Sequence, residues 1–154
     1  MSPNIQKMPL LPRRSFLAAG LSAVLAGSAA YLAIAGGVTA VQRETFQFSR
    51  GVSLAKGDRE ALRGFLARAL PDERMHVTIL AHTGSTGDSH ANIKLSQERA
   101  AFVEALAKDL GIAQERITAR GLGGSAPLGK DPGESERAFQ SRLARVEVAL
   151  QLRR

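Results

Sequence analysis

The chain has 154 residues, with 21 Lys or Arg, 14 Asp or Glu and no cysteine. That length holds one ordinary domain, and the missing cysteine excludes disulfides, thiolate metal sites, iron–sulfur clusters and a lipid-modified N-terminal cysteine. Lys7, Arg13 and Arg14 precede an uncharged run, and without them 18 basic residues face 14 acidic ones. Arginines scattered over such a domain, with one Tyr and no Trp, lack the basic stripe and stacking aromatics of a nucleic-acid binder.

Ser15 to Val41 is 27 residues without a charge, nine of them Ala and four Gly. As a helix it would be about 40 Å long, enough to cross a hydrocarbon core of about 30 Å. The preceding basic residues stay on the cytoplasmic side, which places everything after Gln42 outside. RRSFL, Arg13 to Leu17, resembles the core of a twin-arginine export signal, and Ala33-Ile34-Ala35 offers a small-residue cleavage site. Pro12 and Ala18 depart from the usual twin-arginine pattern, so an uncleaved anchor with positive-inside flanks stays open beside the export signal. Either reading divides the chain into residues 1–41, a signal or transmembrane anchor, and residues 42–154, a domain on the periplasmic face of the cell envelope. An uncleaved segment would hold that domain at the inner membrane; cleavage would leave it periplasmic or associated with the outer membrane.

TFQF, from Thr45, places Phe46 and Phe48 on one side of a short strand. Asp58 is a plausible N-cap for DREALRGFLARAL, in which Leu62, Phe65, Leu66, Ala69 and Leu70 follow helical spacing up to Pro71. MHVTILA alternates as a strand, with Met75, Val77, Ile79 and Ala81 on one face. After a loop of small polar residues, Leu95, Phe102, Val103, Leu106 and Leu110 form a helical stripe closed by Gly111. Ile117 to Ala119 reads as a short strand, followed by the turn GLGGSAPLG. Residues 131–140 are polar, a loop with a short helix, and RVEVAL closes the domain with Val146, Val148 and Leu150 alternating inward. The predicted fold is α/β (α+β): a two-layer sandwich with helices on one face of a mixed four-stranded sheet, in the order β-α-β-α-β-(α)-β.

Arg99 stands out. At 100° per residue it falls in the middle of the apolar stripe from Leu95 to Leu110, so its guanidinium is predicted to be buried. A buried guanidinium needs a partner. A carboxylate of this chain, a snorkelling path to water or a ligand would each serve, and the residues alone leave these alternatives open.

VTILAHTGSTGDSHANIKLSQERA, then RITARGLGGSAP, then RVEVAL, resembles the OmpA-like peptidoglycan-binding domain. That family's pattern is a strand ending in Gly-His-Thr-Asp, then Gly, Asn, Leu-Ser and Arg-Ala, later Gly-x-Gly and a Pro, and a closing Asn-Arg-Arg-Val-Glu-Ile strand. The matches here are His82, Thr83, Gly87, Asn92, Leu95, Ser96, Arg99, Ala100, Gly121, Gly123, Pro127, Arg145, Val146 and Glu147. The resemblance covers roughly Thr45 to Leu150. It implies a non-catalytic cell-envelope module that holds the diaminopimelate residue of the peptidoglycan stem peptide. In the family an arginine pairs with its carboxylate and an aspartate with its ammonium. Arg99 corresponds to that arginine and Asn92 to the nearby amide, with Thr83 and Asp88 on the same loop.

The family's aspartate falls on Gly84, which has no side chain. Ala81, Leu143 and Ala144 also depart from the pattern. A lost charged hydrogen bond is worth about 1.5–3 kcal/mol, so weak binding is one expectation. The other is a decayed site on a scaffold for another envelope protein. Asp88, four residues beyond Gly84, is either a ligand-binding substitute for the missing carboxylate or, like Ser89, the N-cap of the following helix. His82, His90 and Asp88 are of metal-ligand type, but the family motif accounts for His82, and neither metal nor cofactor is expected. No nucleophile–base pair is visible, and GLGGSAPLG lacks the lysine and helix of a phosphate loop.

Overall fold

The structure, a computed structural model, describes residues 41–126 and 128–153. The proposed signal or anchor segment and Pro127 lie outside the described residues. Among the described residues no helix is long and apolar enough to cross a membrane.

The elements run β1 (Gln42–Arg50), β2 (Ser53–Leu54), α1 (Asp58–Ala67), β3 (Met75–Ala81), α2 (Ser89–Asp109), a 3₁₀ turn (Gln114–Arg116), β4 (Ile117–Gly121), α3 (Glu136–Leu143) and β5 (Arg145–Leu152). The α+β class and the mixed sheet agree with the sequence. The strand count does not: the sheet has five strands, ordered β2-β1-β5-β3-β4. The extra one, β2, is a two-residue edge strand folded back on β1 by the turn at Gly51, too short to show alternation. β3 and β4 run parallel, while β5 is antiparallel to both β1 and β3.

One core joins the layers. Phe46 and Phe48 of β1, Val77 and Ile79 of β3, and Val146, Val148 and Leu150 of β5 face Leu62, Phe65 and Leu66 of α1 and Val103, Leu106 and Ala107 of α2. Phe46 and Phe65 meet with ring centroids 6.1 Å apart and planes tilted by 55°, within the range favoured for aromatic pairs. The strand alternation is as predicted, but the buried face of α2 is rotated from the predicted stripe: Ser96, Ala100 and Ala107 are buried with Arg99, Val103 and Leu106, while Leu95, Phe102 and Leu110 are half-buried. α1 differs at both ends: it stops at Ala67, which leaves Leu70 exposed.

Its cap differs too. Gly57, at φ +89°, occupies the N-cap, and Asp58 turns its carboxylate to accept from Gln47 N at 2.6 Å. Asp58 thus joins α1 to β1 instead of closing its own helix. At the other end of α2, Gly111 adopts φ +98°. There Gly111 N donates to Lys108 O and Ile112 N to Ala107 O, the paired bonds of a left-handed helix stop.

Ile79 is fully buried in the middle of β3. Ile79→Ala is expected to lose about 2–5 kcal/mol in urea denaturation; a loss near zero would mean that this face is not the core.

Candidate functional site

Arg99 is 4% exposed, as its position on the stripe requires. It has no carboxylate partner among the described residues. Its Nε donates to Gly51 O at 2.7 Å and its Nη1 to His82 O at 2.8 Å, while the guanidinium carbon lies 4.5 Å from the centre of the Phe48 ring. Of the alternatives left open by the sequence, an internal carboxylate is not the one found: two backbone carbonyls and an aromatic face orient the group instead. Nη2 makes no hydrogen bond among the described residues. Burial pulls the Arg99 pKa below its ordinary value, which raises the value of any anion reaching the open nitrogen.

The loop from His82 to Asp88 is held at both ends. His82 N donates to Arg145 O at 2.8 Å and Thr83 N to Gly123 O at 3.0 Å. At the far end Asp88, and not Ser89, is the N-cap: its Oδ1 accepts from Ala91 N at 2.7 Å. Asn92 donates from Nδ2 to Thr86 O at 2.9 Å, which folds the loop over the first turn of α2. Ser96 donates to Ile93 O and accepts from Gly123 N at 2.8 Å, so the turn after β4 is fastened to the same helix.

Between loop, helix and turn lies a cavity of about 270 Å³, lined by Ser85, Gly87, Ser89, Asn92, Ile93, Leu122, Gly124 and Ser125. None of these side chains ionises. Gly124 permits the close approach: a Cβ there would stand 2.6 Å from Gly84 O and 2.9 Å from Ser85 Cα. Of the residues singled out from sequence, Asn92 lines the cavity. Thr83 is buried with its hydroxyl donating to Gly84 O, Asp88 caps the helix, and Arg99 lies deeper, two helical turns (about 10 Å) beyond Asn92.

The unoccupied position of the motif is filled from elsewhere. A Cβ on Gly84 would meet Gln140 Oε1, from α3, at 2.6 Å. Gln140 grips Ser85 twice, accepting from Ser85 N at 2.9 Å and donating to Ser85 Oγ at 3.1 Å. Its Nε2 also donates to Glu136 Oε1 at 2.8 Å. Gly51 and Gln140 were not singled out from sequence, Phe48 was read only as a strand residue, and no periodicity or motif marks the three as neighbours of the loop.

Behind the loop, buried Arg145 and His82 share the half-buried carboxylate of Glu147. Arg145 contacts Glu147 through Nε at 2.9 Å and Nη2 at 2.8 Å. His82, 3% exposed, stands 3.6 Å from the same carboxylate, and neither of its ring nitrogens makes a hydrogen bond. Burial, reinforced by Arg145 and opposed by Glu147, lowers its pKa. The folded protein thus keeps the ring neutral at a pH where the unfolded chain, titrating near 6.5, has gained a proton. This contribution to stability is intact above about pH 6.5 and is lost as pH falls from there towards the folded pKa. Urea midpoints between pH 7.5 and 5 should therefore fall less in His82→Phe than in the native chain; equal falls would assign the effect elsewhere. Asp88→Ala, a separate change, is expected to cost about 0.5–2 kcal/mol through the lost cap, measured by the same denaturation at pH 7.5.

Residues 46–141 match the OmpA family. Outer membrane porin F of Pseudomonas fluorescens is 40% identical over 97 residues, 62% of this chain and 28% of the porin. The OmpA-like domain of FopA1 from Francisella tularensis superposes with a TM-score of 0.63 at 24% identity, covering 82% of this chain and 81% of that one. The peptidoglycan-associated lipoprotein of Burkholderia pseudomallei gives 0.58 at 22% identity, covering 70% and 89%. At those identities the two structures show the shared fold. The chain spans between 9% and 44% of the length of the curated relatives it matches.

Proposed function

This chain belongs to the OmpA family, and from that premise we propose that it is a non-catalytic cell-envelope protein that binds peptidoglycan non-covalently through the stem peptide. Arg99 is the anchor of the reading. Its guanidinium is buried, oriented by Gly51 O, His82 O and the Phe48 ring, and keeps Nη2 for an incoming carboxylate. Fixing the group before the ligand arrives removes part of the ordering cost of binding. The stem-peptide carboxylate would engage Arg99, and the neighbouring part of the peptide would lie along Asn92, with Thr83 and Asp88 shaping the loop.

The names of its relatives support the compartment and the ligand. The porin belongs to an outer membrane, and the lipoprotein of the same fold is described as peptidoglycan-associated. With Gly84 in place of the aspartate, binding is weak. One observation favours the second reading, a scaffold for another envelope protein: Gln140 occupies the space of the missing side chain. An uncleaved N-terminal segment would then hold the domain at the membrane surface.

Co-sedimentation of the full chain in detergent with purified sacculi separates the two. The native chain and its Asn92→Ala and Arg99→Lys variants would be compared, with folding checked by circular dichroism. Pelleting is expected, reduced about 10- to 100-fold in apparent affinity by Arg99→Lys. No pelleting by the folded native chain would overturn wall binding in favour of the scaffold.

A further inference from the structure

Gln140 does more than fill space. Its carboxamide is oriented unambiguously: Nε2 donates to Glu136 Oε1 and Ser85 Oγ, so Oε1 must be the atom that accepts from Ser85 N. Ser85, which lines the cavity, is thereby held in place from behind by a neutral group. Nearby carboxylates are already engaged. Glu136 holds Gln140 through Oε1 and Lys130 through Oε2 at 3.0 Å, and Asp88 caps α2. The cavity lining itself carries hydroxyls, one carboxamide and apolar surface, without an ionisable side chain.

An ammonium entering this cavity would find no anion and would lie on the same side of α2 as the Arg99 charge. An amide would be served well. Asn92 uses Nδ2 on Thr86 O, and its Oδ1 accepts no hydrogen bond among the described residues. The Ser85 and Ser89 hydroxyls can donate to a carbonyl, Ser125, which donates to Leu122 O, can accept from an N–H, and Ile93 and Leu122 offer apolar cover for the rest of an acyl group.

We propose that Gln140 is a specificity-determining positioning residue, acting through Ser85, and that the cavity prefers a stem peptide whose side-chain amine is acylated, as in a peptide cross-link, over one bearing the free ammonium. The proposal rests on the wall-binding reading above. It adds that the loss of the acid at position 84 changed the chemical form of ligand accepted, with the neutral form now favoured.

The test uses the full chain in detergent and two probes: a muropeptide monomer with a free side-chain amine on its diamino acid, and the same monomer acetylated at that amine. Calorimetric titration of the native chain is expected to favour the acetylated probe. In the double variant Gly84→Asp, Gln140→Ala, the preference should reverse, with the free amine gaining about 10- to 100-fold. Gln140→Ala alone should weaken the acetylated probe more than the free one. Equal weakening of both would make Gln140 merely structural and overturn its role. A native preference for the free amine would overturn the selectivity while leaving wall binding intact. Binding of neither probe would overturn the wall-binding reading and this proposal with it.

Discussion

The domain is organised around a positive charge buried without a negative one. Arg99 reaches from α2 to the β1–β2 turn through Gly51 O and to the end of β3 through His82 O, and its plane is backed by Phe48. A hydrogen bond to a charged group is worth about 1.5–3 kcal/mol net, and a desolvated cation–π contact about 2 kcal/mol. These are large for one side chain, but they fall short of satisfying all five guanidinium donors. An internal carboxylate would have completed the set and closed the site. Carbonyls hold the group in place while leaving its charge uncompensated, and that residual demand for an anion is what the proposed binding role of Arg99 draws on.

Around that charge, the loop is built by close approach. Gly124 lets the turn after β4 touch Gly84 and Ser85, and Ser96 ties the same turn to α2. The cavity thus forms where three backbone segments meet, with small side chains at the contact. Close packing of that kind resists local rearrangement, so its shape is set before any ligand is present. α3 holds Ser85 of the lining through Gln140, from a segment whose own ends are held by Ser135 at the N-cap and by the Arg142–Glu134 pair at 2.7 Å.

Much of this was legible in the sequence because the core obeys simple periods. Val77 and Ile79, and Val146, Val148 and Leu150, alternate on strands, and the stripe containing Arg99 follows 3.6 residues per turn. The motif from His82 to Ala100 carried the family and the depth of Arg99. What failed was whatever depends on a partner distant in the chain. Asp58 has every local qualification for a cap, yet it bonds Gln47 across the sheet layer. For Arg99 a carboxylate of this chain, a path to water and a ligand stayed open, and the carbonyl oxygens that orient it leave no trace in a sequence. Gln140 lies 56 residues beyond Gly84 in a polar stretch without period, so nothing local links the two. A two-residue strand such as β2 is below the length at which alternation exists.

The position of β5 has a consequence for how the domain comes into being. Residues 145–152 form the central strand, between β1 and β3. Until they have been synthesised, the two strands made earlier have no common partner, and each presents an unpaired edge. The sheet can close only through contacts spanning most of the domain, a topology that folds late and slowly. A chain emerging in sequence order therefore stays open until its last strand arrives, and it depends meanwhile on whatever shields apolar edges in its compartment. Arg145, which opens that strand, arrives with it to meet Glu147 beside His82, so this polar cluster is assembled in the same late step that completes the sheet.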